Sequence, residues 1–231
     1  MKNNPLASWI CVTYNRPYLI NEMLYCFLHQ DYDNKELIII NDQGNVEYVY
    51  DDKRVIIFNL KERFSSLGMK RNFSKDKANG EFIFFTDDDD IYYSNHISRL
   101  INVHKDNMDY DIVMNDFCQY SIDNVWMDNW YKYMPFNGVC FKRDYVLNNY
   151  FPHYLSCAED ELFVENATKF RIKDDITTFN YRWGLDAFHI SGLGGTGIES
   201  YEMVGNQVKG DELKTIILKP QISEGVKGYY K

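Results

Sequence analysis

The chain has 231 residues, 45% of them apolar, enough to bury one sizeable core with at most a small appended subdomain or tail. Acidic side chains outnumber basic ones 34 to 25, so the molecule as a whole repels a phosphate backbone. This argues against a nucleic-acid partner and means that any anionic ligand, such as a nucleotide diphosphate, needs a local cation or a bound metal.

Ser8 to Tyr14 reads as the first strand. From Pro17 to His29 the apolar residues Ile20, Met23, Leu24, Phe27 and Leu28 fall at helical spacing, with Asn15 as the expected cap and Pro17 as the first turn. Glu36 to Asn41 and Arg54 to Leu60 are continuous apolar runs of strand length, the signature of a parallel sheet covered on both faces. A helix is expected from about Leu67 to Ala78, closed by Gly80, and then a strand from Glu81 to Thr86 that runs into Asp87, Asp88, Asp89 and Asp90. The next helix opens near Ser94 and carries Ile97, Leu100 and Ile101.

Beyond it the pattern is less regular and reads as α+β. Tyr110 to Tyr120 and Phe136 to Lys142 are expected strands, Glu161 to Phe170 an expected helix with Leu162, Phe163 and Ala167 inward, and Thr177 to Trp183 another strand. A Gly-rich stretch, Gly192 to Gly197, and a polar C-terminal segment with one apolar run, Thr215 to Leu218, complete the chain. The cysteines Cys11, Cys26, Cys118, Cys140 and Cys157 are far apart, odd in number and without metal-ligand spacing, so they read as reduced core residues. The N-terminus lacks a signal-type apolar region and no apolar stretch reaches membrane-spanning length, so a cytoplasmic protein is expected, with peripheral membrane contact and oligomeric state left open.

In an open α/β sheet, ligands bind outside the carboxyl ends of the strands, where Asp87 to Asp90 fall. Crowded carboxylates repel, and a run of them after a hydrophobic strand is costly unless a cation sits among them. Hard oxygen ligands select Mg²⁺, Mn²⁺ or Ca²⁺. Taken alone, the run is explained as well by a solvated acidic turn, or by aspartates favouring the N-terminus of the following helix.

Several ordered motifs change that balance: Val12-Thr13-Tyr14-Asn15-Arg16-Pro17, Ile39-Ile40-Asn41-Asp42, Leu67-Gly68-Met69-Lys70-Arg71-Asn72, Ala78-Asn79-Gly80-Glu81 and Asp87 to Asp90. Together they resemble the nucleotide-sugar-binding half of inverting family-2 glycosyltransferases, closely over the first hundred residues or so and more loosely to about residue 191. The resemblance implies a GT-A, Rossmann-like fold: a mixed, mostly parallel sheet flanked by helices, with a smaller α+β acceptor-side half. It implies one domain over 1–231, with a nucleotide-sugar half to about 107, an acceptor and catalytic half over about 108–200, and a tail over about 201–231. The implied activity is metal-assisted transfer from a nucleoside diphosphate sugar, UDP-sugar first, to a hydroxyl of a glycan or glycoconjugate, as in polysaccharide biosynthesis.

By the same resemblance, Val12, Tyr14 and Asp42 hold the base, and Arg71 meets the diphosphate or base, with its neighbour Lys70 able to substitute. The family's Asp-x-Asp motif maps onto Asp87-Asp88-Asp89, with Asp87 or Asp88 toward the ribose and Asp87 and Asp89 toward Mn²⁺ or Mg²⁺. Four aspartates leave the register open, and Asp90 is the one expected to matter least. The family often has a proline soon after this motif, where this chain has Ser94-Asn95. Cys157-Ala158-Glu159-Asp160-Glu161-Leu162 resembles the family's Glu-Asp motif and makes Asp160 the general base, with Glu159 and Glu161 as the alternatives. His189 resembles a C-terminal histidine that completes the metal site, although a lone histidine on an apolar strand is equally a core residue. The Gly192 stretch suits a loop closing over the donor. Trp126, Trp130, Tyr131 and Tyr133 with Asn137-Gly138 fall where the acceptor region is built, a place that core packing would also explain. A catalytically inactive GT-A sugar- or nucleotide-binding module and a nucleotidyltransferase are the competing readings. The second typically carries a Gly-rich phosphate loop after the first strand, where this chain has Asn15-Arg16-Pro17.

Overall fold

A computed structural model describes residues 4–122, 125–126, 136–156, 158–183, 212–227 and 230. In chain order the first half contains β1 (Ala7–Thr13), α1 (Pro17–Leu28), β2 (Lys35–Asn41), β3 (Val46–Val49), β4 (Val55–Asn59), α2 (Leu67–Lys75), β5 (Phe82–Asp87), β6 (Ile91–Tyr92) and α3 (His96–Asp106). The second contains β7 (Ile112–Asn115), β8 (Gln119–Ile122), β9 (Val125–Trp126), a 3₁₀ turn (Phe136–Gly138), β10 (Val139–Lys142), α4 (Arg143–Asn148), α5 (Glu159–Val164), β11 (Lys169–Ile172), β12 (Phe179–Trp183), β13 (Lys214–Ile217) and α6 (Glu224–Lys227).

The main sheet has the order β11-β7-β10-β5-β1-β2-β4. β1 pairs in parallel with both β2 and β5, β2 with β4, and β7 with β11, whereas β10 runs antiparallel between β5 and β7. Alternation along β1 explains why the sheet is covered on both faces. Trp9 and Cys11 join one buried layer with Leu24, Phe27, Phe84 and Ile97, while Ile10 joins another with Ile38, Phe85, Phe141 and Phe163. Each of these fully buried large apolar side chains stabilises the fold by about 1.5–3 kcal/mol. Two smaller sheets, β6-β12-β8-β9 and β13-β3, lie outside the main one. The α/β, mostly parallel architecture is as the sequence indicated, and Cys11, Cys26, Cys118 and Cys140 are buried free thiols, while Cys157 lies outside the described residues.

Several local expectations are corrected. Asn15 does not cap α1: it adopts a left-handed conformation, φ 54°, its side-chain oxygen accepts from Gln43 Nε2 at 3.2 Å, and Arg16 takes the cap position without a side-chain bond. Tyr110–Tyr120 is two strands in different sheets, because the chain leaves β7 at Asp116, whose amide bonds to the Ile172 carbonyl. The helix expected over Glu161–Phe170 begins at Glu159 and ends at Val164. Thr168 donates through its amide (2.8 Å) and hydroxyl (2.7 Å) to Asp111 Oδ2, which draws Lys169–Ile172 onto β7 as a strand. Phe163 and Ala167 are inward as expected, but Leu162 is exposed. Phe136–Gly138 is a turn, tightly set: a Cβ on Gly138 would lie 2.5 Å from the Phe179 ring.

Candidate active site

The parallel register brings the carboxyl ends of three strands together: Val12 lies opposite both Ile40 and Asp87, and Thr13 opposite Asn41. Asp42, Thr13 and the acidic turn therefore share one rim. Lys70, buried on α2, ties that rim down, donating to the Thr13 carbonyl at 2.7 Å and to Asp42 Oδ1 at 2.5 Å. Burial lowers the Lys70 pKa, and Asp42 opposes the shift. The other Asp42 oxygen accepts the Phe64 amide at 3.1 Å. Tyr14 stands half-buried at the rim with the Arg63 guanidinium 4.2 Å from its ring centre.

The left-handed turn at Asn15 lets the next side chain fold back over the aspartates. Arg16 Nη2 lies 2.9 Å from Asp88 Oδ1, and its Nη1 lies 3.0 Å from Asp89 Oδ2. Asp88 also accepts the Thr13 hydroxyl at 2.5 Å. Burial alone would lower the Arg16 pKa; Asp88, Asp89 and Asp87 override it and raise it. Asp87 is bound by Arg71 Nη2 at 3.3 Å and by Asn137 Nδ2 at 2.9 Å. Asp90, fully buried, accepts from the same Asn137 nitrogen at 2.7 Å and from the Arg182 amide at 2.9 Å.

Oxygens of Asp87, Asp89 and Asp90 lie within 4.8 Å of one another. Burial, with Asp89 adding to it, raises the pKa of Asp87, pushes Asp88 up to about 6 and drives Asp90 well above the ordinary carboxylate range, against the opposing pull of Arg71 on Asp87 and Arg16 on Asp88. A cluster of hard oxygens, with Asp89 and Asp90 buried and Asp87 partly exposed, held together against its own repulsion, fits a divalent ion such as Mg²⁺ or Mn²⁺. Asp90, set aside in the sequence, thus shares the cluster, while Asp88 turns toward Thr13 and Arg16.

The second half enters through Arg71. Its Nη2 reaches Asp87, its Nε lies 3.4 Å from Glu159 Oε1, and its guanidinium lies 4.8 Å from the Phe136 ring centre. Glu159 opens α5 after Ala158, which holds a left-handed φ of 59°. Burial pushes Glu159 up to about 6, against the pull of Arg71. Asp160 is half-buried, its Oδ1 accepts the Glu161 amide at 2.9 Å, and its charge acts on both Arg71 and Asp87. Glu161 is exposed. Val12, Tyr14, Asp42, Arg71, Asp87, Asp88, Asp89 and Asp160 therefore gather at one end of the sheet. His189, the Gly192 stretch, Trp130, Tyr131 and Tyr133 lie outside the described residues. Trp126 stacks on Tyr93, ring centres 6.4 Å apart.

Sequence reasoning gave no role to Arg16 or Arg182 and placed Asn137 only in an acceptor region. A signal existed: an acidic cluster in a chain of net charge −9 needs cations beside it, and Arg16 and Arg182 both fall next to strand ends or strands in apolar surroundings.

The model of the family described as glycosyl transferase family 2 matches residues 8–159. Among curated relatives, an uncharacterised glycosyltransferase of Haemophilus influenzae is 32% identical over 43% of this chain and 42% of its own length. The putative colanic acid biosynthesis glycosyl transferase WcaA of Escherichia coli is 36% identical over 42% of this chain and 37% of its own length. The GalNAc(5)-diNAcBac-PP-undecaprenol beta-1,3-glucosyltransferase of Campylobacter jejuni is 29% identical over 42% and 34%. The chain thus spans well under half the length of these relatives. Among solved structures, S. aureus TarS 1–349 in complex with UDP superposes with a TM-score of 0.60 at 19% identity, covering 77% of this chain and 60% of that one. The mannosyltransferase PcManGT of Pyrobaculum calidifontis, in complex with GDP-Man and Mn²⁺, gives 0.54 at 16% identity, covering 75% and 56%. Both show the same fold. No helix among the described residues is long and apolar enough to cross a membrane. A family model that runs from β1 to the first residue of α5, over the rim residues gathered above, places the chain in glycosyl transferase family 2.

Proposed function

We propose that the protein is an inverting glycosyltransferase that moves a sugar from a nucleoside diphosphate sugar to a hydroxyl of a glycan or glycoconjugate. The observation that carries this reading is the convergence on one rim of the Asp87–Asp89–Asp90 cluster and, through Arg71, of Glu159 and Asp160. A donor-side carboxylate cluster and an acceptor-side carboxylate are the two parts a direct displacement needs. UDP-sugar is the first donor to test and GDP-mannose the second, after the ligands named for the solved neighbours. A polysaccharide or lipid-linked glycan is the acceptor class, after the names of the curated relatives.

In this reading the Val12 backbone, Tyr14 and Asp42 hold the base. Carboxylate oxygens each have two lone pairs, so Asp42 can keep Lys70 and Phe64 and still accept from a ligand. Arg71 and Arg16 face the diphosphate. Asp87, Asp89 and Asp90 would hold Mn²⁺ or Mg²⁺, which when bound supplies neutralisation of the charge on the departing diphosphate. Asp160 takes the acceptor hydroxyl proton as that oxygen bonds to the anomeric carbon and the bond to the diphosphate breaks. The linkage is inverted, and a product with retained configuration by NMR excludes this route.

The test is a panel of nucleoside diphosphate sugars scored for thermal stabilisation and hydrolysis with and without Mn²⁺. A Mn²⁺-dependent rise in melting temperature with one donor, lost in Asp89→Ala, is the expected result. No response to any nucleotide sugar would remove the central claim.

A further inference from the structure

The acidic turn is supported from below by a residue far away in sequence. Arg182, on β12, donates through Nε to the Asp89 carbonyl and through its amide to Asp90 Oδ1. Its Nη1 lies 2.8 Å from Glu22 Oε2, in the middle of α1. Glu22 Oε1 accepts the Ser223 amide at 2.9 Å, and the neighbouring Asn21 Oδ1 accepts the Lys219 amide at 2.8 Å. Arg182 and Glu22 are only 3% and 5% exposed, and Arg182 Nη2 has no hydrogen-bond partner among the described residues.

A pair buried this deeply loses most of its Coulombic gain to desolvation, so stability alone does not account for it. What the guanidinium does that an apolar pair cannot is hold the turn. Its planar fork reaches the Asp89 carbonyl and the Glu22 carboxylate at once, a geometry that a lysine ammonium does not reproduce.

We propose that Arg182 is a positioning residue for the acidic turn: it fixes the Asp89–Asp90 backbone so that the carboxylates present their oxygens together to a hard divalent cation. Through Glu22 it makes the C-terminal segment around Ser223 part of the same support. The inference rests on the metal reading given above, and its test separates the two.

The whole chain is titrated with Mn²⁺ in the presence of UDP or GDP, with free Mn²⁺ followed by electron paramagnetic resonance and no turnover required. Wild type is expected to take up Mn²⁺. Arg182→Lys, which keeps a cation and the backbone bond to Asp90, is expected to weaken uptake roughly tenfold or more, as is usual when groups behind metal ligands are altered. A double variant, Arg182→Met with Glu22→Leu, removes both buried charges together and is expected to melt only slightly below wild type, the Ser223 amide having lost its acceptor, while binding Mn²⁺ as weakly as Arg182→Lys. Wild-type affinity in either variant overturns the proposal and leaves the metal reading standing. A wild-type chain that takes up no Mn²⁺ with either nucleotide removes the metal reading, and this inference with it.

Discussion

Arg71 occupies a position where two carboxylates, Asp87 and Glu159, depend on one guanidinium. Replacing it by Met leaves Glu159 buried without its partner, while Asp87, partly exposed, keeps Asn137; breaking a buried pair such as Arg71–Glu159 costs about 3–5 kcal/mol. Glu159 sets the pH dependence. Its pKa in the fold is about 6, above the ordinary glutamate value, so its contribution to stability is full below that ordinary value and is lost as pH rises through 6. Without Arg71 that pKa climbs further, so the urea midpoint of Arg71→Met should lie well below wild type at pH 8 and recover part of the difference at pH 5. Asp160→Asn should behave otherwise: its fold and Mn²⁺–UDP uptake stay near wild type, while turnover falls by roughly 10²–10⁴, the usual contribution of a positioned base. Initial rates set beside calorimetric titration separate the two. The aspartates were legible because they are consecutive and end a hydrophobic strand. Arg182 was not, since its partners lie 93 residues upstream at Asp89 and 160 upstream at Glu22, separations that no periodicity records.

At the level of elements, the junction that aims α5 is the start of α2. Ser66 caps α2 by accepting the Met69 amide at 3.1 Å and donates to the His153 carbonyl, while the Gly68 amide donates to the Leu155 carbonyl at 2.9 Å. A Cβ on Gly68 would lie 2.0 Å from the Pro152 carbonyl oxygen, so the 152–156 segment can approach only because residue 68 is glycine. Gly68→Ala should therefore cost about 1–3 kcal/mol and lower turnover, because the displaced segment leads directly into α5. Ser66→Ala should cost nearer 1 kcal/mol, the common value for a lost cap. Chemical denaturation of both variants ranks them. The long elements β1, α1, β2 and β5 were readable from period and length. After Asp109, β12 was readable within Thr177–Trp183, and β7, β10 and the start of β8 within broader strand-like runs, but β11 was not, because four residues that alternate charged and apolar, Lys-Phe-Arg-Ile, are chosen between helix and strand by tertiary partners, here Asp111 and β7.

For the whole molecule, acid stability is governed by buried groups away from the rim as well as on it. His96 sits among Trp9, Phe84, Tyr92 and Phe179, and burial pushes it down to about 3. The folded chain stays unprotonated there while the unfolded chain takes up a proton below the ordinary histidine value, so stability falls as pH drops; between pH 7 and 5.5 this one group removes about 1 kcal/mol. Asp88, raised to about 6, acts in the opposite direction, and Glu159 does likewise, but both are shared by wild type and a His96→Gln variant. The difference between the two proteins' unfolding free energies should therefore shrink as pH is lowered over that range. The parallel sheet could be foreseen from its hydrophobic runs, yet the antiparallel place of β10 between β5 and β7 could not, since it depends on strand order alone. That place has a consequence for any attempt to shorten the protein. A fragment ending before Phe136 would contain every motif from β1 through the acidic turn and still leave the flank of β5 as an open row of amides and carbonyls, next to aspartates that have lost Asn137 and Arg182. Such a fragment should recruit strands from its neighbours and sediment as aggregate, so the part of the chain that carries the acidic turn depends on the part after it to remain a separate molecule.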